Sequence, residues 1–191
     1  MGINFFLRKL LHLLTGIFIY FLSFHLSQTK LILFLIFFWF LFSLFEILRL
    51  SLIIKIPFEN LWKKLLKEDE KSNLTDSWFY LTGVTLAGFF LKIDSFRLLI
   101  LILAFSDPLA SLVGFYIGKT RVYKNKTLEG ALTFFLISFI ISYFFLKCSW
   151  HTFFLSLFLT LVEVLTRRDN FWIPVGGTFY LNLTKYFLGL F

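Results

Sequence analysis

Apolar residues run along most of this chain without the regular polar interruptions that a water-facing helix shows. A membrane-spanning helix needs about 20 mostly apolar residues, with a range of roughly 17–25. On that rule the pattern predicts seven spans, at 10–28, 31–50, 77–93, 96–118, 128–147, 149–166 and 171–190. The fourth and seventh each carry a break, and for the fourth the pattern predicts that the helix stops at Ser106 and restarts as a half-helix to Gly118. Between the second and third spans, Phe58, Leu61, Trp62, Leu65 and Leu66 recur at helical spacing opposite Lys63, Lys64 and Lys67. That stretch reads as an interfacial amphipathic helix over 57–70, or alternatively as a lid over a lipid-facing site. No internal repeat at a fixed period is visible. The expectation is a single all-α, polytopic membrane-embedded unit spanning 1–191, with about seven transmembrane helices.

Composition supports this reading and removes others. Of the 191 residues 59% are hydrophobic and 16% charged, against roughly 25% charged in soluble domains. Thirty Phe, five Trp and seven Tyr are more apolar surface than a water-soluble fold of this size can hide. The single Cys148 excludes a disulfide framework and a thiolate metal cluster. His12, His25 and His151 stand too far apart to suggest a local ligand pair. Arg8-Lys9 before an apolar stretch imitates a secretory signal, but that stretch is too long and no small-residue cleavage site follows Ser27, so it reads as an uncleaved first span.

The net charge of +8 points to membrane topology and to anionic headgroups or nucleotides rather than to nucleic acid, because the basic residues sit between apolar runs. Fourteen of the nineteen lysines and arginines fall in the N-terminus and in the second-to-third, fourth-to-fifth and sixth-to-seventh connections. The positive-inside rule then puts the N-terminus in the cytoplasm and the C-terminus outside.

Ionisable groups inside spans are costly, so each needs a partner or a function. Three polar clusters fall on that cytoplasmic side. In the first, Asp107 before Pro108 has the form of an N-cap followed by a favoured first helical residue. Asp107, Ser111, Gly114 and Gly118 then share a small-residue face, which close helix packing alone would also explain. Lys119, Arg121, Lys124 and Lys126 follow within eight residues, and Thr127, Glu129 and Gly130 open the fifth span. Glycines, a helix N-terminus and clustered cations together suit a polyphosphate. The spacing of Gly114 to Gly118 is one residue too short for a P-loop. In the second cluster, Glu163 precedes Arg167, Arg168, Asp169, Asn170 and Pro174. Asp169 and Asp107 are acceptable hard-oxygen ligands for Mg²⁺, while Asn170 is equally suited to cap the last helix. The third comprises Arg8, Lys9 and His12 with Glu46 and Arg49, the last two also readable as a structural pair at i,i+3.

Taken in order, these residues resemble the CTP-dependent lipid-alcohol kinases: polyprenol and dolichol kinases, phytol and farnesol kinases, and CTP-using diacylglycerol kinases. The resemblance is carried by Arg8-Lys9, His12 and Gly16; by Glu46 and Arg49; by Asp107, Ala110, Gly114, Gly118-Lys119, Lys126-Thr127 and Glu129-Gly130; and by Glu163, Asp169-Asn170 and Pro174. Ser106, where the family usually has Gly, and Arg168, where a smaller residue is common, depart from it. The resemblance implies a membrane kinase that moves the γ-phosphoryl of CTP to a lipid hydroxyl with Mg²⁺. Asp107, Asp169 and Glu163 would be catalytic, and Asp107 and Asp169 would hold the metal. Gly114, Gly118, Lys119, Lys126, Thr127, Glu129 and Asn170 would bind the nucleotide, with Arg8, Lys9, His12, Glu46 and Arg49 in support. Phosphatidate cytidylyltransferases share a similar central block, but their C-terminal signature has no counterpart in this chain. A non-enzymatic transporter using Asp107 and Glu163 as an ion path is the more distant alternative. Gly114 and Gly118 leave a contact with a second subunit open.

Overall fold

The computed structural model describes residues 2–51, 66–124, 126–147 and 149–188. Within them the chain forms seven α-helices: α1 (Gly2–His25), α2 (Gln28–Ser51), α3 (Asp76–Phe90), α4 (Ile93–Tyr116), α5 (Leu128–Leu146), α6 (Ser149–Leu165) and α7 (Asp169–Leu188). A short 3-10 helix, Glu68–Lys71, precedes α3. A two-stranded antiparallel hairpin, β1 (Arg121–Tyr123) with β2 (Lys126–Thr127), joins α4 to α5. Most of the amphipathic helix expected over 57–70 lies outside the described residues, and its last residues fall in the 3-10 helix.

Four helical segments are long and apolar enough to cross a membrane: Asn4–His25, Gln28–Ser51, Ile93–Tyr116 and Leu128–Leu146. Trp150–Leu165 is a shorter apolar helix. The outward faces carry large apolar side chains such as Phe21, Phe40, Phe89, Phe144 and Phe179, more than half exposed. An apolar exterior over long apolar helices is the pattern of a membrane protein, in which lipid replaces water as the solvent.

The centre of the bundle is α4, packed against α1, α3, α5 and α7. Its most apolar stretch is 56% buried within the protein, against 11–22% for the other three long spans. Phe96, Leu99, Ile100 and Leu103 of α4 meet Leu35 of α2, Val84 of α3, Phe134 of α5, Leu159 of α6 and Ile173 of α7 in one apolar core. Around it α2 packs on α3, α3 on α7, α5 on α6 and α6 on α7. Indole N–H groups tie α2 to α3, Trp39 donating to Thr82 Oγ1 and Trp78 to Ser43 Oγ, each at 2.9 Å.

The two expected breaks are corrected by the structure. Helix α4 runs through Pro108 without stopping at Ser106, so Asp107 is an interior residue and not an N-cap. Proline removes one helical N–H, yet Ala104, Ser106, Asp107, Pro108 and Ala110 are all buried against neighbours that hold the helix straight enough to continue. Likewise α7 continues through Pro174. Gly83 of α3 makes room there: a Cβ on it would lie 2.6 Å from Pro174 Cγ and 3.3 Å from the Asn170 carbonyl oxygen, the one that Pro174 cannot bond.

Candidate functional site

At one end of the bundle three helices each bring a carboxylate to the same point. Asp107 of α4 is fully buried, Glu163 of α6 is 3% exposed, and Asp169 is the first residue of α7. One oxygen from each lies within 4.8 Å of the others, an arrangement able to hold a metal ion. Two lysines answer them. Lys126, placed by β2 at the mouth of α5, bonds Glu163 and, at 2.6 Å, Asp169. Lys9 of α1 reaches Asp107 at 2.8 Å. Although burial disfavours its charge, Lys126 is held above the usual lysine range by Asp169, Glu163 and Asp107. From α1, His12 Nε2–H donates to the Leu103 carbonyl oxygen of α4 at 3.0 Å, and the same nitrogen stands 4.0 Å from Asp107 Oδ2.

Three anions facing two cations leave the cluster with surplus negative charge. Several buried oxygens beside it have no hydrogen-bond partner: Asp107 Oδ1, Glu163 Oε2, Ser106 Oγ, Asn170 Oδ1 and Tyr80 Oη. Buried polar atoms are nearly always paired, so the two free carboxylate oxygens, Asp107 Oδ1 and Glu163 Oε2, are open to a ligand, while the unpaired hydroxyls of Ser142, Thr152 and Ser156 lie apart from them on α5 and α6. Sequence reasoning brought out Asp107, Glu163, Asp169, Lys126, Lys9 and His12, and the fold unites them. It missed Tyr80, whose ring meets the His12 ring edge-on at 4.5 Å between centroids. A lone tyrosine in an apolar span carries no pattern that separates it from the other aromatic residues.

The glycine block shapes the junction of α4 and α5. Thr127 caps α5 by accepting the Gly130 N–H at 3.2 Å. Gly114, Gly118 and Gly130 surround it: a Cβ on Gly114 would stand 2.9 Å from Thr127 Oγ1, and one on Gly118 would stand 2.3 Å from the Gly114 oxygen. A Cβ on Gly130 would come 2.9 Å from the Ala110 carbonyl. These glycines therefore let α4 and α5 close on each other and present Lys126. Glu129 accepts the Thr120 N–H at 3.2 Å, fastening the hairpin to α5. Lys119 is exposed just ahead of that hairpin. Asn170 does not cap α7, being its second residue, with its N–H donating to Asp169 Oδ1 at 2.9 Å.

The Arg8, Glu46 and Arg49 group divides. Buried Arg49 bonds Glu46 and donates to the Glu70 and Asn73 carbonyls at 2.7 and 2.6 Å, while Glu46 also accepts from Thr75 Oγ1 at 2.7 Å. This pair pins the connection ahead of α3 to α2. Arg8 instead turns to Glu70 at 3.4 Å and Asp76 at 3.3 Å, next to Lys67 and Arg168. Burial would raise the Asp76 carboxyl, but Lys67, Arg8 and Arg168 hold it below the usual carboxylate range.

No protein-family model, curated protein or solved structure matches the chain. Its fold and site therefore rest on its own residues: an all-helical protein with membrane-length helices and a buried cluster of acidic and basic groups at one end.

Proposed function

We propose that the chain is a membrane kinase that transfers the γ-phosphoryl of CTP, or of another nucleoside triphosphate, to the hydroxyl of a lipid alcohol such as a polyprenol or phytol. The observation that carries the reading is the convergence of Asp107, Glu163 and Asp169 with Lys9 and Lys126 at one end of an apolar bundle. Phosphoryl transfer needs positioning and charge neutralisation more than covalent chemistry, and this cluster holds the groups for both. The resemblance of the same residues to the CTP-dependent lipid-alcohol kinases supports it from the sequence side.

Carboxylate oxygens are the donors a hard divalent cation takes, and the unpartnered Asp107 Oδ1 and Glu163 Oε2 fit such an ion. Asp107, Asp169 and Glu163 would hold Mg²⁺, which when bound offsets charge on the phosphates. Lys126 and Lys9 hold the carboxylates together, and Lys126 is placed to bond a phosphate oxygen as well. In the transfer the alcohol oxygen bonds to the γ-phosphorus, the bond to the β–γ bridging oxygen breaks, and CDP leaves with that electron pair. The hydroxyl proton passes to a carboxylate oxygen of Asp107 or Glu163. A lipid tail can remain between apolar helices while its hydroxyl reaches the cluster.

The proposed topology has all seven helices crossing, with the N-terminus and the site in the cytoplasm. The arginines and lysines early in α1, before α3, in the hairpin and before α7 converge on the carboxylate end through their ion pairs, which supports that orientation under the positive-inside rule. The test is a product assay on purified protein with Mg²⁺ and CTP labelled separately in the γ-phosphate and the base, offered polyprenol, phytol, diacylglycerol and phosphatidate. A γ-label in an alcohol lipid with CDP released is the expected result. Base label in the lipid with pyrophosphate released would replace the kinase by a cytidylyltransferase, and no labelled lipid would remove both.

A further inference from the structure

A second charged cluster adjoins the carboxylates and takes no part in the transfer step described above. Asp76, the first residue of α3, is contacted by three cations from three parts of the chain: Arg8 of α1, Lys67 from the connection, and Arg168 immediately before α7. Glu70 is the other anion in reach, bonding Arg8 and accepting the Asp76 N–H at 2.8 Å. Positive charge is therefore in surplus here, as negative charge is around the triad. The arginine contacts to Asp76 and Glu70 measure 3.3, 3.3 and 3.4 Å. Charge-assisted bonds ordinarily close to about 2.7–2.9 Å. The carboxylate shares about four lone-pair sites on two oxygens among these donors and leaves its arginine contacts long, whereas a phosphoryl group offers three oxygens and more negative charge. The Arg8 and Arg168 side chains are each 24% exposed and Lys67 is 51% exposed, so an anion from the aqueous side can reach them.

The chain also joins this cluster directly to the triad. Lys9, next to Arg8, holds Asp107, and Asp169, next to Arg168, belongs to the triad itself. We infer that Arg8, Lys67 and Arg168 form a binding site for a phosphate-bearing anion, with Asp76 as the internal carboxylate that the phosphate displaces. The inference rests on the kinase reading for its relation to the triad, where it supplies the distal phosphates of the nucleotide with the cations that the exposed Lys119 does not. As an anion site it stands on the cluster alone.

The test is equilibrium binding of inorganic tripolyphosphate to the full chain in zwitterionic nanodiscs, followed by thermal stabilisation and titration calorimetry. Wild type is expected to bind, Arg8→Gln and Arg168→Gln to weaken binding tenfold or more, and Asp76→Asn to tighten it severalfold by removing the competing anion. A cluster that serves only to clasp helices gives no gain in affinity for Asp76→Asn. Lys67→Gln, at a half-exposed position, guards against a misfolded variant and is expected to weaken binding severalfold. A parallel arm replaces tripolyphosphate by phosphatidate in the nanodisc. Stabilisation by phosphatidate alone, lost in Arg168→Gln, assigns the phosphate to a lipid headgroup, and stabilisation by tripolyphosphate assigns it to a soluble ligand. No binding in either arm, or binding that these four variants leave unchanged, overturns the site. Tripolyphosphate binding in a chain that labels no lipid would remove the kinase reading alone, and label transfer with unchanged binding in Arg8→Gln and Arg168→Gln would remove this inference alone.

Discussion

Gly16→Ala tests how α1 is brought close enough to deliver Lys9 and His12. Gly16 lies buried on α1, seven residues beyond Lys9 and so about two turns along the same face. A Cβ added there would stand 2.5 Å from Ala104 Cβ, 3.2 Å from Ala104 Cα and 3.3 Å from Tyr80 Oη. Carbon atoms attract best at about 3.5–4.0 Å, so α1 must move away from α4 by roughly an ångström. Ala104 has no rotamer with which to yield. Over-packing of this kind costs about 1–3 kcal/mol, partly masked by the higher helix propensity of alanine, worth about 1 kcal/mol. The cycle with Ala104→Gly removes that mask, because propensity terms cancel and only the Cβ–Cβ clash remains as coupling. We expect a coupling of about 1–3 kcal/mol, with the double variant regaining stability that Gly16→Ala loses. At this chain length each kcal/mol moves the melting point by about 2–4 °C. The assay is reversible unfolding of the four proteins in mixed micelles, read by tryptophan fluorescence. Additivity to within about 0.5 kcal/mol would refute the assigned approach of α1 to α4.

The remaining expectations concern the charged groups. Asp107→Asn should abolish label transfer while the protein still inserts and purifies; wild-type turnover would sink the role given to that carboxylate. Arg49→Ala leaves Glu46 buried and uncompensated, and should cost about 3–5 kcal/mol in the same unfolding assay, whereas the double variant Glu46→Leu/Arg49→Met should lose markedly less. The Asp76 carboxyl is depressed in the folded state, so its contribution is complete above the unfolded value of about 3.9. That contribution is lost as pH falls below this value toward the folded one. Melting curves taken from pH 5 to pH 3 should therefore fall less steeply in Asp76→Asn than in wild type, and parallel curves would contradict the ion-pair assignment.

The apolar runs by themselves determined that this is an all-helical membrane protein and roughly where each helix lies, because lipid leaves a spanning backbone little choice but to bond within its own helix. The polar residues inside those runs were equally legible: Asp107 and Glu163 stand out because burying a charge is expensive wherever the chain folds. What the pattern misjudged was local. Asp107-Pro108 has the form of a helix start, yet Pro108 sits inside α4, since the missing hydrogen bond is outweighed by burial of its flanks on neighbouring helices. The same holds for Pro174, accommodated by Gly83 from a helix distant in sequence. Only the tertiary structure decided which charges meet. Arg8 and Lys9 are adjacent in the chain, but successive helical side chains point about 100° apart, so one turns to Asp76 and the other to Asp107. Likewise, that the glycines around Thr127 let α4 and α5 close on each other is visible only in the packing. Sequence order carries the identity of each group and its cost of burial; which partner offsets that cost is a property of helix faces brought together across the whole chain.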